Sequence, residues 1–242
     1  MIIQTETFSL AHNSQSYACA ITLVQESQKT ILRHPFPSFL TDQDRRYLEN
    51  CHPRRQHSFL LGRHAFDQGC LAYGIKPTPT LSYGCFGQPS INNTSIQVSI
   101  AHAENTGIAL LFPPNLTLGI DIEFCNAFHK KDVGEAFMTK HEYSLPILTK
   151  NTPLEPILWT AKEALLKALK IGFSTSLGIL EIASIEKKSE QALHVCFRHF
   201  HAFHVCAFIY ENAVISVAYP ANYNLFSLDF FGKWADVFET SN

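Results

Sequence analysis

The chain of 242 residues is about 1.6 times as long as a domain of about 150 residues, which allows either one large domain or two small ones. Hydrophobic residues make up 46% of it, which excludes a disordered or fibrous protein, and no apolar run approaches the roughly 20 residues that cross a bilayer. The formal net charge of −2 gives no general attraction to nucleic acid or to an anionic membrane.

The first part of the chain predicts a strand-like segment followed by two helices. Apolar residues are frequent from Thr7 to Val24. Thr41 has the pattern of an N-cap, with Asp44 three residues later, for a short helix that ends near Asn50. After a proline, an apolar stripe predicts a longer helix from Arg54 to Tyr73.

Basic residues are concentrated in these two helices. The start of a helix favours anions because its free N–H groups and its dipole present positive charge. The cluster therefore predicts an anion-binding surface, and a solvated basic face is the alternative. Five of the seven arginines of the chain form it: Arg45, Arg46, Arg54, Arg55 and Arg63.

The middle of the chain predicts a loop and then two strands. Pro, Gly, Ser and Asn are abundant between Lys76 and Asn93, which is typical of a loop. Alternating apolar residues predict strands from Ile96 to His102 and from Gly107 to Phe112. We place a domain boundary at the turn from Pro113 to Asn115, which divides the chain into subdomains 1–115 and 116–242.

Apolar residues alternate regularly with other residues from Leu116 to Phe124. This pattern predicts a strand with one apolar face and one face that carries the acidic side chains. Asp121 and Glu123 share the second face, with Cα atoms about 6.6–6.8 Å apart. Two such carboxylates can hold Mg²⁺, which prefers oxygen ligands. We expect Gly119 to leave room there for a ligand to approach the backbone. Two solvated acids on an exposed strand are the alternative.

The strongest helix signal runs from Pro156 to Lys170. Helical spacing places Trp159, Glu163 and Lys167 in one line, so that Glu163 can offer a third metal oxygen and Lys167 a cation for phosphate. The alternative is a surface Glu–Lys pair worth about 0.3–0.5 kcal/mol. A shorter helical stretch is predicted at residues 132–138, followed by a helix start at residues 139–142.

The C-terminal part, from Ile179 to Tyr219, is rich in strand signals. It contains two His-x-Cys pairs ten residues apart, His194 with Cys196 and His204 with Cys206. Together these could form a zinc site with two histidines and two cysteines. The alternation around Val195 favours an ordinary pair of strands instead. The seven scattered cysteines include no CxxC pair, which predicts reduced thiols rather than disulfides.

Two motifs in this order, Gly119 to Glu123 and Trp159 to Lys167, resemble the signatures of the 4′-phosphopantetheinyl transferase superfamily. The resemblance is to its larger, surfactin-synthetase-activator type. The second motif has no mismatch, and the first differs only at its opening apolar residue, Leu118. Residues 52–63 resemble the basic N-terminal helix of the family, and residues 137–143 resemble its segment between the two signatures.

This resemblance implies an α/β (α+β) pseudo-dimer of two similar subdomains, each a small, mainly antiparallel sheet packed with helices, with the active site in the interdomain cleft. It implies an enzyme that moves the 4′-phosphopantetheine arm of coenzyme A to a serine of an apo acyl or peptidyl carrier protein and releases 3′,5′-ADP. Mg²⁺ is the implied cofactor, and coenzyme A is the co-substrate. Such carriers serve fatty acid, polyketide or nonribosomal peptide biosynthesis.

Site residues carry over by position. The implied metal ligands are Asp121, Glu123 and Glu163, and the implied catalytic residues are Glu163, Lys167 and Glu142. Glu142 and Glu163 are both candidates for the base that takes the serine proton, and Glu142 also fits a capping box with Thr139. The implied coenzyme-binding residues are Arg54, Arg55, Arg63, Gln88, His102 and Lys167.

Two departures affect coenzyme binding. Gln88 stands where the family commonly has a lysine, so one phosphate-binding charge is missing. Ala101 and Ala103 flank His102 where the family often has serines. A non-catalytic relative that binds coenzyme A or a carrier protein is therefore one alternative, and another Mg²⁺-dependent phosphoryl-transfer or pyrophosphate enzyme is the second.

The remaining expectations concern location and partners. The N-terminal segment lacks the pattern of a signal peptide, which predicts a cytoplasmic protein. We expect a carrier protein and coenzyme A as partners, with neither nucleic acid nor a membrane. The length predicts a monomer in which two halves of one chain pair with each other.

Overall fold

The computed structural model describes residues 1–26, 39–91, 94–128, 134–146, 152–210, 212–226, 234 and 238. Its helices are α1 (Asp42–Glu49), α2 (Pro53–Ala72), α3 (Lys140–Tyr143) and α4 (Leu154–Leu169). Its strands are β1 (Ile2–His12), β2 (Gln15–Gln25), β3 (Leu81–Tyr83), β4 (Pro89–Ile91), β5 (Gln97–Ala103), β6 (Thr106–Phe112), β7 (Gly119–Phe124), β8 (Ile182–Lys187), β9 (Ala192–Phe197), β10 (Phe203–Ile209), β11 (Ala213–Pro220) and β12 (Asn224–Phe226).

Two five-stranded antiparallel sheets make up the frame. The first has the strand order β12-β1-β2-β6-β5, and the second has the order β7-β11-β10-β9-β8. The last strand, β12, returns to the first sheet and pairs with β1, with Leu225 opposite Leu10. The predicted mixed α+β fold of antiparallel sheets packed with helices is therefore confirmed.

The two sheets pack against each other and share one apolar layer. Leu10, Ile21 and Leu110 of the first sheet meet Ile120 and Ile215 of the second in this layer. Burial of each such side chain stabilises the fold by about 1.5–3 kcal/mol. The outer faces carry the helices: α2 covers the first sheet and α4 covers the second. The layers thus follow the order helix, sheet, sheet, helix.

The predicted helix starts are confirmed. Thr41 and Thr139 each form a capping box, in which the threonine side chain accepts from Asp44 or Glu142 and the acid accepts from the threonine backbone. The helix predicted from Arg54 begins at Pro53, because proline suits the first turn. The predicted short helix at residues 132–138 is a 3-10 turn at Gly134–Ala136, and residues 132 and 133 lie outside the described residues.

Two expectations are corrected. The loop predicted between Lys76 and Asn93 contains the β3–β4 hairpin, which pairs Leu81 with Ile91; residues 92 and 93 lie outside the described residues. Gly119 does not leave room for a ligand. A Cβ atom there would lie 2.0 Å from the carbonyl oxygen of Ala164. Its missing side chain lets α4 approach the backbone of β7.

No helix within the described part of the chain is long and apolar enough to cross a membrane.

We predict that Gly119→Ala lowers the free energy of unfolding by about 3 kcal/mol, at the upper end of the usual cost of overpacking, because helix backbone blocks the new methyl group. Urea denaturation measures the change. Gly178→Ala is the control, since a Cβ atom there meets only the Ser176 hydroxyl at 3.6 Å. Equal midpoints for the two variants would contradict the packing role of Gly119.

Candidate active site

Three carboxylates and a lysine meet where α4 crosses the edge strand β7. Asp121 and Glu123 lie two residues apart on β7, on the face that packs against α4, and Glu163 and Lys167 lie one helical turn apart on α4. The Lys167 ammonium donates a hydrogen bond of 2.6 Å to Oδ1 of Asp121. The structure therefore brings together all four residues that the two sequence motifs singled out.

The cluster holds more negative charge than its one lysine offsets. Burial raises the pKa of Asp121, against the opposing effect of Lys167. Burial and then the Asp121 charge raise the pKa of Glu123 to about 7 and that of Glu163 to about 7. Carboxylates whose pKa is raised by burial and by a neighbouring carboxylate form a site that a divalent cation would stabilise.

The second carboxylate oxygen of Asp121 is the strongest indication that the cluster suits a cation. This Oδ2 atom is buried and has no hydrogen-bond partner among the described residues. A buried carboxylate oxygen without a partner is costly. The other ligand atoms that the cluster offers, from Glu123 and Glu163, are also carboxylate oxygens, which suit Mg²⁺. Asp121, Glu123 and Glu163 therefore fit a magnesium ion by their chemistry.

Arg55 of α2 connects the basic helix to β5. Its Nη1 atom lies 3.2 Å from Nε2 of His102, and its Nε donates to the Tyr47 hydroxyl at 3.1 Å. Burial, followed by the charges of Lys167 and Arg55, lowers the pKa of His102 to about 4. Because a guanidinium can only donate, Nε2 of the neutral His102 ring accepts and its Nδ1 carries the proton. His102 is thus a neutral hydrogen-bonding group between two cations.

The predicted arginine cluster divides in the structure. Arg55 and Arg63 line a cavity of about 420 Å³ that also contains His102. Arg63 is buried and forms an ion pair with Asp44, which offsets part of its charge, although its Nε and Nη1 atoms have no hydrogen-bond partner among the described residues. Arg54 is exposed and is not among the residues that line this cavity.

A second cavity of about 420 Å³ extends from Arg55 to Glu163 and Lys167 of the cluster. Gln88 also lines it, and it shares Arg55, Gly87, Pro89 and Ile100 with the first cavity. Arg55, Glu163 and Lys167 therefore face one connected space, and Asp121 and Glu123 are not among the described residues that line it. The oxygen of the Gln88 amide accepts from the Phe86 backbone at 3.0 Å, which fixes this neutral side chain in the cavity wall.

Sequence reasoning missed two residues of this wall, Lys170 and Phe173. Lys170 is the C-cap of α4, and its ammonium group donates to the Gln97 side chain. Its position three residues after Lys167 was the sequence signal that could have placed Lys170 in the same wall. Phe173 is 59% exposed and packs near Trp159, with ring centroids 6.0 Å apart. No sequence pattern pointed to it.

Glu142 lies elsewhere. It is fully buried and accepts hydrogen bonds from the Lys162 ammonium at 2.8 Å and from the Thr139 and Ile182 amides at 2.7 and 2.8 Å. Lys162 also donates to the Phe137 carbonyl at 2.7 Å. Glu142 is not among the described residues that line either cavity. The ion pair of Glu142 and Lys162 joins α3, α4 and β8. No sequence pattern predicted this role of Lys162.

Comparison with known families gives a class for this region. Residues 117–218 match the sequence model of the 4′-phosphopantetheinyl transferase superfamily. The match spans β7 to β11 and contains Asp121, Glu123, Glu163 and Lys167. This region is therefore similar to the 4′-phosphopantetheinyl transferase superfamily, in agreement with the resemblance of the motifs. The narrower surfactin-synthetase-activator type stays a prediction. A comparison with curated proteins gave no match.

We predict that Lys162→Met destabilises the protein by about 3–5 kcal/mol, because it leaves the Glu142 carboxylate buried without its cation. Chemical denaturation followed by circular dichroism measures the loss. Lys188→Met is the matched control. The ion pair of Lys188 with Glu186 spans 4.0 Å, and at least half of each side chain is exposed. We expect the control to change stability by less than about 1 kcal/mol.

Proposed function

We propose that the protein transfers the 4′-phosphopantetheine arm of coenzyme A to a serine of an apo acyl or peptidyl carrier protein. One observation carries the proposal. The carboxylate cluster contains a buried Asp121 oxygen that has no hydrogen-bond partner among the described residues, and its members Glu163 and Lys167 line a cavity whose far wall is basic. Such a site suits a substrate with a pyrophosphate near the metal and a further phosphate near arginine.

In this proposal Asp121, Glu123 and Glu163 hold Mg²⁺. When bound, the ion would neutralise charge that develops on the phosphoryl oxygens. Lys167 would add a second cation at the pyrophosphate, because its side chain is 28% exposed while its ammonium group binds Asp121. The serine oxygen would attack the β-phosphorus, the bond to the bridging oxygen would break, and 3′,5′-ADP would leave.

The serine proton needs an acceptor close to the reacting phosphorus. Glu163 lines the cavity beside Lys167, whereas both oxygens of Glu142 are already occupied by N–H donors in the interior. We therefore assign the base to Glu163, and we assign Glu142 to support of α4.

The coenzyme would extend from the carboxylates to α2. Arg55 and His102 would contact its phosphates, with Gln88 as a neutral neighbour in the wall. Arg63 would contribute less than its formal charge suggests, since Asp44 already neutralises part of it. Arg54 would lie outside the site. The Gln88 departure predicts weaker coenzyme binding than a lysine would give.

The proposed architecture is a pseudo-dimer of subdomains 1–115 and 116–242 within a monomer, with the coenzyme in the cleft between them. The presence of one five-stranded sheet and one long helix in each half supports this division. Strand β12 is the exception, since it belongs to the second half by sequence and to the first sheet by pairing.

Transfer is tested by incubating the protein with coenzyme A, Mg²⁺ and an apo carrier protein, and by measuring the intact mass of the carrier. We expect the phosphopantetheine increment with the native protein and its loss with Asp121→Ala or without Mg²⁺. Glu190→Ala, which removes an exposed carboxylate from a turn, should retain the increment. No increment on fatty acid, polyketide or peptide carriers would refute the transferase and favour a binding role.

The division of the arginines gives a sharper test. Arg55→Ala should raise the KM for coenzyme A about 10–100-fold, which corresponds to about 1.5–3 kcal/mol for a hydrogen bond to a charged group. Arg54→Ala, at the adjacent exposed position, should change it by less than about 3-fold. The KM for the carrier should stay unchanged in both. Equal effects of the two variants would contradict the placement of the coenzyme along α2.

A further inference from the structure

Three metal-ligating side chains meet on β9 and β10, where nothing in the proposed reaction uses them. His194 and Cys196 lie two residues apart on β9, and His204 of β10 is directly opposite Cys196. One ligand atom from each lies within 4.8 Å of the other two. The Cys196 sulfur is 3.7 Å from Nδ1 of His194, and the two histidine rings are 4.4 Å apart at their centroids.

This cluster is separate from the carboxylates. Val205 and Ala207 of β10 pack toward α4, so His204 between Phe203 and Val205 points to the opposite side of the sheet, where it contacts Tyr219. Asp121 lies on the α4 side. Strand β11 also stands between β7 and β10 in the sheet. The cluster and the candidate active site therefore lie on opposite faces of one sheet.

The structure brings together only three of the four side chains that the sequence offered as zinc ligands. Cys206 is 3% exposed and belongs to the apolar layer between the sheets, and it is not among the ligand atoms that converge. His194, Cys196 and His204 are only partly buried. Three side chains therefore converge at the margin of the core, where an ion and water can reach them.

We propose that His194, Cys196 and His204 bind one Zn²⁺ ion, with water in the fourth position. Tetrahedral zinc binds nitrogen at 2.0–2.1 Å and sulfur at 2.3 Å. A nitrogen and a sulfur ligand of one ion therefore lie about 3.6 Å apart. The distance of 3.7 Å between Cys196 and His194 already fits this spacing. Two imidazoles and a thiolate are ligands for zinc and poor ligands for Mg²⁺.

The protonation of the ligands agrees with the geometry. Burial lowers the pKa of His194 and of His204, which favours the neutral rings that have a nitrogen lone pair to offer. Burial raises the pKa of the Cys196 thiol, so the ion must displace its proton on binding, as zinc does at other thiols. The bound ion would join β9 to β10 through side chains as well as through the backbone.

The test uses metal binding rather than catalysis, so that it stands apart from the transferase proposal. Purified protein is freed of metal, given excess Mg²⁺ to occupy the carboxylates, and titrated with Zn²⁺ against a chromophoric chelator and with Co²⁺ by absorption spectroscopy. We expect one ion per chain, a thiolate-to-cobalt charge-transfer band and a higher Tm with Zn²⁺.

Cys196→Ser should abolish the charge-transfer band and weaken Zn²⁺ binding by more than about 100-fold, beyond the 10–100-fold cost of losing an outer-shell partner. His204→Ala should weaken it to a similar degree. The controls are Cys51→Ser, which removes another half-buried thiol, and His201→Ala, which removes an exposed histidine three residues from His204. Both controls should bind like the native protein.

Two results would overturn the proposal. The first is a native protein that takes up no zinc under these conditions, or that gives no charge-transfer band with cobalt. The second is zinc binding that survives Cys196→Ser but is lost in Asp121→Ala, which would place the ion at the carboxylates. Unchanged circular dichroism of Cys196→Ser shows that a loss of binding is not a loss of folding.

Discussion

The apolar layer between the two sheets is the constraint on which the candidate site depends. Because both sheets bury their inner faces in it, their edge strands β5 and β7 come to lie side by side. The Ser99 hydroxyl accepts a hydrogen bond of 3.1 Å from the Ile120 amide and fixes their relative position. This contact places His102, three residues after Ser99, where the charge of Lys167 acts on it. The space that joins Arg55 to Glu163 and Lys167 follows from how the sheets pack.

Lys162 and Lys167 of α4 both form ion pairs, and the surroundings of each pair determine its role. Lys162 and Glu142 satisfy each other in the interior, and backbone donors fill the remaining needs of the carboxylate. Lys167 occupies only one oxygen of Asp121 and leaves the other without a partner among the described residues. The first arrangement is complete and supports the fold. The second leaves a buried carboxylate oxygen that a bound cation would satisfy.

Local features were predictable from the sequence, and contacts between distant segments were not. The capping boxes at Thr41 and Thr139 and the alternation that ends in Phe124 depend on neighbours in the chain, and they were predicted. The division between Arg54 and Arg55 was not, because it depends on which side of α2 faces β5. The role of Gly119 was also misjudged, since the backbone of α4 that requires it lies 45 residues later.

The period of two along a strand explains how one sheet can carry two unlike sites. On β7, the residues that point toward α4 include the acids Asp121 and Glu123, and α4 supplies Lys167, which binds Asp121. On β9 and β10, the residues that point away from α4 include two histidines and a cysteine. The first sheet does not bury these three side chains fully. Hard oxygen donors and softer nitrogen and sulfur donors are therefore kept apart by the backbone of the sheet. Since Mg²⁺ and Zn²⁺ differ in the ligands they prefer, this separation would let each proposed site select its own ion.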